Sequence, residues 1–234
     1  LARMTLNRIR NWDRRTADRV SHFIANSRYI AERINRAYGR TAHVVYPPVD
    51  TNLFTLHREK EDFYLAVSRM VPYKRMDVIV EAFANMPDKR LLVIGEGPES
   101  AKVREKAAGA RNVQILGYRP LEEMRDYMQR ARAFVFAAEE DFGIVAVEAQ
   151  ACGTPVIAYG KGGASETVIP GRTGVFFEEQ SSESLSRAVE YFEHARKDMD
   201  PEEIRRHAEK FSAERFRMEF RDYVENCLSR RGLS

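Results

Sequence analysis

Cysteine is nearly absent. The 234-residue chain has two, Cys152 and Cys227, far apart and without clustered histidines. That excludes a disulfide-stapled scaffold and any Cys/His pattern with zinc-ligand spacing. It fits two free thiols in a reducing compartment. Long apolar runs are missing too: none approaches the roughly 20 residues of a membrane-spanning helix. The first residues carry no signal-peptide pattern. Leu1 rather than Met opens the sequence, as expected of a piece of a longer protein. Internal repeats and low-complexity segments are absent. The full G-x-G-x-x-G spacing is also lacking. "GEGPES" (Gly95–Ser100) breaks it, so it reads as a Gly-Pro turn into a helix rather than a dinucleotide fingerprint.

What is present is ordinary for a globular protein: 44% hydrophobic and 31% charged residues. The net charge of +3 is uneven. Residues 1–50 hold ten arginines and four acids, while the remainder holds 28 basic residues and 31 acids. A basic N-terminal piece suits a solvated helical face, an anionic membrane surface or an acidic partner. No basic stretch is interleaved with aromatics in a nucleic-acid-binding motif, so no nucleic-acid partner is expected.

From residue 62 onward, apolar runs alternate with amphipathic segments. "FYLAVS" (Phe63–Ser68), "RLLVIGEGPE" (Arg90–Glu99, ending in Gly and Pro), "NVQILGY" (Asn112–Tyr118), "AFVFAA" (Ala133–Ala138), "PVIAYG" (Pro155–Gly160) and "TGVFF" (Thr173–Phe177) read as strands. Helical spacing falls between them. This predicts an α/β fold: a Rossmann-like, doubly wound parallel sheet of about six strands with helices on both faces. Ligands of such sheets bind beyond the carboxyl ends of the strands. Before this unit, "HFIANS" (His22–Ser27) reads as a strand. "RYIAERINRAYG" (Arg28–Gly39) reads as a helix stopped by glycine, and "HVVYPPVD" (His43–Asp50) as a strand running into Pro47-Pro48. The domain reading is residues 1–55 as an N-terminal remnant with a crossing, 56–200 as the main domain, and 201–234 as charged C-terminal helices packing back.

Within "AEEDFGIVAVEAQACGTPVIAYG" (Ala138–Gly160), Glu148 is the one charge between Phe142 and Gly160. A helix beginning at Phe142-Gly143 would offer free N–H groups to an anion, and Gly143 would allow close approach of a ligand. Glu148 falls on the stripe Ile144, Val147, Glu148, Ala151. A carboxylate there needs donors: protein N–H groups, an arginine or ligand hydroxyls. In "SRMVPYKR" (Ser68–Arg75), Arg69 sits at a strand end and Lys74 at a helix start, with Asp77 partly compensating. A bound diphosphate would account for both cations, and solvated charges are the alternative. "GKGGASE" (Gly160–Glu166) offers a flexible Gly162-Gly163 cradle, with Glu166 favouring a helix N-terminal turn.

Together, Glu140 and Glu148 (E-x7-E around Phe-Gly), the earlier R-x4-K of Arg69 and Lys74, and "ACGTPVIAYGKGGASE" resemble the nucleotide-sugar-binding half of glycosyltransferase family 4. These are the retaining enzymes with the two-domain GT-B fold. "SRMVPYKRMDVIVEAF" and "AEEDFGIVAVEAQACGTPVIAYG" look like bacterial mannosyltransferases of surface-polysaccharide assembly. "ADRVSHFIANSRYIAERI" and "VVYPPVDTNLF" look like the end of the acceptor domain and the crossing.

The resemblance implies one half of a GT-B fold, with donor-binding residues Arg69, Lys74, Gly117, Tyr118, Arg119, Glu140, Phe142, Gly143, Ile144, Val145 and Glu148. Arg69 and Lys74 would neutralise the donor diphosphate, and Glu140 would contact the transferred sugar. These three form the catalytic set. Amides of Gly143, Ile144 and Val145 would hold phosphate, Glu148 the ribose, and backbone around Gly117–Arg119 the base. No metal and no cofactor is expected. The implied reaction moves a hexose, mannose from GDP-mannose, to a saccharide or lipid-linked acceptor. The expected location is cytoplasmic, with a peripheral contact at the inner membrane face. The chain alone is expected to be inactive, because the rest of the acceptor domain has no counterpart in it. Two alternatives stand beside this reading: a nucleotide-sugar epimerase of the same fold and a non-catalytic nucleotide-sugar-binding module.

Overall fold

The boundaries of the elements follow local chemistry. In the computed structural model, which describes residues 2–229, α1 (Ala2–Ala17) precedes β1 (Phe23–Ala25). Ser27 then caps α2 (Arg28–Tyr38) by accepting from the Ile30 N–H, and Gly39, at φ 65°, closes it through its N–H on the Asn35 carbonyl. β2 (Ala42–Val44) pairs parallel with β1, completing a small β-α-β unit.

Residues Tyr64–Val67 (β3), Leu91–Ile94 (β4), Val113–Gly117 (β5), Ala133–Phe136 (β6), Val156–Tyr159 (β7) and Gly174–Phe177 (β8) build the main sheet. All neighbours are parallel, in the order β5-β4-β3-β6-β7-β8. The six strands expected from sequence are the six observed. Helices α3 (Met76–Ala84), α4 (Ser100–Lys106), α5 (Leu121–Arg130), α6 (Ile144–Ala151), the short α7 (Ala164–Thr167) and α8 (Ser182–Ala195) lie between and after them.

Alternation along each strand gives the sheet two cores. Tyr64 and Ala66 pack with Ile79 and Phe83 of α3 and with Val189 and Phe192 of α8. Leu65, on the opposite face, packs with Met128 of α5 and Val147 of α6. α9 (Pro201–Ala208) joins the second core through Ala208. α10 (Ala213–Ser229) returns to the N-terminal unit. There the Tyr223 ring stacks on His43 with centroids 4.1 Å apart, and Arg215 donates to the Tyr46 carbonyl at 2.9 Å.

The strand order puts the reversal between β3 and β6. The chain leaves β3 toward one edge, returns to β6, and continues to the other edge. The two crossovers diverge there and leave a crevice beyond the strand ends.

Candidate nucleotide-sugar site

A cleft of about 730 Å³ opens at that reversal. Its walls come from three parts of the chain: Tyr73 and Lys74 after β3, residues 139–145 with Glu148 after β6, and Asn26 and Pro47 from the N-terminal unit.

Lys74 and Glu140 meet in this cleft as an ion pair, with side chains 17% and 18% exposed. Burial lowers the Lys74 pKa. The two residues are far apart in sequence, and the adjacency of β3 and β6 brings them together. Lys74 does not open a helix, as the sequence suggested. It ends a 3-10 turn, Pro72–Lys74, and Arg75 at φ 51° separates it from α3. That left-handed residue takes Lys74 out of the helix's positive first turn. Asp77 does not compensate Lys74 either. It pairs with Lys102 at 2.8 Å and Arg75 at 3.6 Å.

α6 begins at Ile144, with Gly143 at φ 84° as its cap. A Cβ on Gly143 would lie 3.2 Å from the Phe136 ring, so backbone conformation more than space demands glycine. Ala146 donates to the Gly143 carbonyl at 3.0 Å, whereas the N–H groups of Gly143, Ile144 and Val145 find no acceptor among the described residues. Three free donors at a helix start form an anion cradle.

Four residues further on, Glu148 shares the cleft wall with Ile144, while Val147 and Ala151 are fully buried in the core. The stripe read from sequence thus splits: Ile144, 43% exposed, and Glu148 face the cleft. No hydrogen bond or ion pair among the described residues reaches the Glu148 carboxylate. Burial pushes its pKa up to about 7.

The loop between β6 and α6 is tied down on every side. The Tyr29 hydroxyl donates to Glu139 at 2.7 Å, and Arg33 pairs with Asp141 at 3.1 Å. Phe142 is buried against the Tyr46 and Phe211 rings, at 5.7 and 5.6 Å. Gly162 and Gly163 are not a flexible cradle. A Cβ on Gly162 would lie 2.5 Å from the Glu140 carbonyl, and one on Gly163 would lie 2.2 Å from the Phe142 Cα. The Gly163 N–H donates to that Glu140 carbonyl at 2.8 Å. These glycines permit close packing beneath the loop. Glu166 does not serve its own helix: it accepts from the Arg28 and Tyr29 N–H groups and the Tyr46 hydroxyl, each at 2.9 Å.

Lys74, Glu140, Phe142, Gly143, Ile144, Val145 and Glu148 therefore share one cleft. Arg69 and residues 117–119 stand outside its walls. Arg69 is exposed beyond β3, with no side-chain partner among the described residues. Gly117 turns the chain out of β5 at φ 74°, Tyr118 is 71% exposed, and Arg119 reaches Glu123 at 3.4 Å. "GEGPES" serves packing: a Cβ on Gly95 would lie 1.9 Å from the Ser68 carbonyl, so the glycine lets β4's end abut the segment carrying Arg69. Sequence reasoning missed Asn26, Pro47 and Tyr73 as wall residues. The position of Asn26 at a strand's carboxyl end was the one available signal for it. Among the described residues, no group of three or more His, Cys, Asp or Glu side chains is placed to hold a metal ion.

A family model described as glycosyl transferases group 1 matches residues 52–211. The chain belongs to this family. A relative from Mycolicibacterium smegmatis, a GDP-mannose-dependent alpha-(1-6)-phosphatidylinositol monomannoside mannosyltransferase, is 32% identical over 218 residues, covering 81% of this chain and 55% of that protein. The similarly described enzyme of Corynebacterium glutamicum, which acts on the monoacylated compound, is 38% identical over 135 residues, covering 52% and 35%. Among solved structures, Anabaena HepE in complex with UDP-glucose superposes with a TM-score of 0.79 at 21% identity, covering 93% of this chain and 67% of that one. That likeness shows the shared fold. This group 1 chain spans about half the length of the curated relatives it matches. No helix among its described residues is long and apolar enough to cross a membrane.

Proposed function

We propose that this chain is the donor-binding half of a retaining hexosyltransferase that moves mannose from GDP-mannose to a saccharide or lipid-linked acceptor. The carrying observation is the arrangement at the β3–β6 reversal. A cation, three free amides and a half-buried unpartnered carboxylate line one cleft, which are the groups a nucleoside diphosphate sugar calls on. In this reading Lys74 and the amides of residues 143–145 hold the diphosphate, which stabilises charge as the leaving group departs. Glu148 accepts from ribose hydroxyls, which supply the donors it lacks. Glu140, held by Lys74, orients the transferred sugar. Arg69 and the segment Gly117–Arg119 join the site when the ligand is bound. Positive charge comes from side chains, and the reading needs no metal.

Mannose and GDP are favoured by the names of the two mannosyltransferase relatives. The lipid-linked acceptor has the same support. Residues 1–55 are read as the end of an acceptor domain that contributes Asn26 and Pro47 to the cleft. A peripheral membrane contact is supported by α1, where Leu6, Ile9 and Trp12 are exposed between arginines.

The test is a thermal-shift and calorimetric screen of the chain with GDP, UDP, ADP and their sugars. GDP should raise the unfolding temperature most, because a ligand bound to the folded state stabilises it. No shift with any nucleotide would overturn the donor reading. A shift with UDP alone would overturn the choice of base.

A further inference from the structure

We propose that Glu166, Tyr29 and Arg33 form a latch by which α2 sets the position of Glu140 and of the free amides at residues 143–145. The use of Glu140 rests on the function proposed above; the latch itself rests on contacts among these residues alone.

An α-helix starts with unsatisfied N–H groups. In α2, Ser27 Oγ takes the Ile30 N–H at 3.1 Å, which leaves those of Arg28 and Tyr29. Glu166 satisfies both, one carboxylate oxygen each. Its charge also sits at the positive end of the helix. One side chain of α7 thereby docks α2 end-on to the main domain, 137 and 138 residues away in sequence.

From that anchored end, Tyr29 and Arg33 are four residues apart and share a face. They reach Glu139 and Asp141, the acids on either side of Glu140. The loop is therefore gripped at both flanks, while Glu140 engages Lys74 in the cleft. Three consecutive carboxylates would repel one another if left unpaired. Each instead has its own partner, and two of those partners lie on one helix. Gly163 closes the arrangement from beneath by donating to the Glu140 carbonyl. The docking of the N-terminal unit and the geometry of the cleft loop thus become one coupled event. Asn26, one residue before the cap of α2, is carried into the cleft wall by the same docking.

The contacts differ in strength. Arg33 and Asp141 are 54% and 56% exposed, so their pair contributes least. Glu166 makes charge-assisted bonds to two backbone donors and contributes most.

Hydrogen exchange on the full 234-residue chain tests this, beside calorimetry with GDP. In Glu166→Gln, exchange at the hydrogen-bonded amides of Ala146 and Gly163, which report on the loop, should accelerate on the order of tenfold, the upper range for losing one hydrogen bond. Tyr29→Phe should show a smaller effect and Arg33→Ala the smallest, with β4 and β5 unchanged in all three. GDP affinity should fall in the same order. The double variant Tyr29→Phe with Glu139→Ala should be no worse than the stronger single, since both remove one contact. Unchanged exchange at Ala146 and Gly163 in Glu166→Gln would overturn the latch. So would acceleration spread equally over every strand, which marks a merely structural role. Failure of the unmodified chain to bind GDP would overturn the donor reading, and the exchange comparison would still decide the latch.

Discussion

Glu148→Gln should abolish a specific pH dependence of stability. In the folded chain burial holds the Glu148 pKa near 7, against an ordinary 4.5. The folded state therefore keeps a proton that the unfolded state has lost. Between those two values the folded state binds more protons, so stability falls as pH rises through this window and levels off above about 7. A pKa raised to about 7 implies a loss of about 2.5 kcal/mol between pH 5 and pH 8, as an upper estimate for a group retaining some solvent contact. Glutamine has no such titration and nearly the same shape. Urea denaturation of both proteins at pH 5, 6, 7 and 8 reads the difference, because every other titrating group is common to both. His207, whose pKa burial lowers, shifts both curves alike and in the opposite sense. Parallel curves for the two proteins would refute the claim that Glu148 is desolvated and unpartnered. A ribose bound to the ionised carboxylate should in turn lower its pKa, so GDP binding near pH 7 should release protons. Calorimetry in buffers of different ionisation enthalpy measures that release.

Three further outcomes are expected. Glu140→Gln should leave GDP affinity within about twofold while reducing turnover of the whole enzyme, whereas Lys74→Met removes the cation that holds the diphosphate and should weaken GDP binding by about 1–3 kcal/mol in calorimetry; equal effects on GDP binding would sink this division. Gly163→Ala places a Cβ 2.2 Å from the Phe142 backbone and should destabilise the chain by about 2 kcal/mol or more, seen as a lowered melting temperature; an unchanged one would deny the close packing. Cys152 is fully buried and its thiol pKa is pushed up to about 12, so a thiol reagent should label partly exposed Cys227 alone until the chain unfolds.

Much of the fold was legible residue by residue. Gly39 ended α2 where its αL preference demanded, and continuous apolar runs such as Leu91–Ile94 became sheet strands buried on both faces. Half of the site was legible for the same kind of reason. Ile144 and Glu148 lie four apart on one helix, so a period of 3.6 residues places both on one side. Asp77 was the instructive failure: its charge beside Lys74 suggested compensation, but the reversal at Arg75 sends it to Lys102 instead.

The sequence alone therefore determined what depends on neighbours along the chain: the alternation of strands and helices, the caps, and the spacing of two glutamates around Phe-Gly. Tertiary structure alone decided which distant groups meet. The pairing of Lys74 with Glu140 depends on β3 lying next to β6, and the docking of α2 on Glu166 depends on where α7 emerges after β7. Local periodicity sets which face of an element a residue occupies, but strand order sets what stands opposite that face. Gly162 and Gly163 show the difference most plainly. In sequence they suggest freedom, and in the fold they are required because the Glu140 and Phe142 backbones leave no room for a side chain.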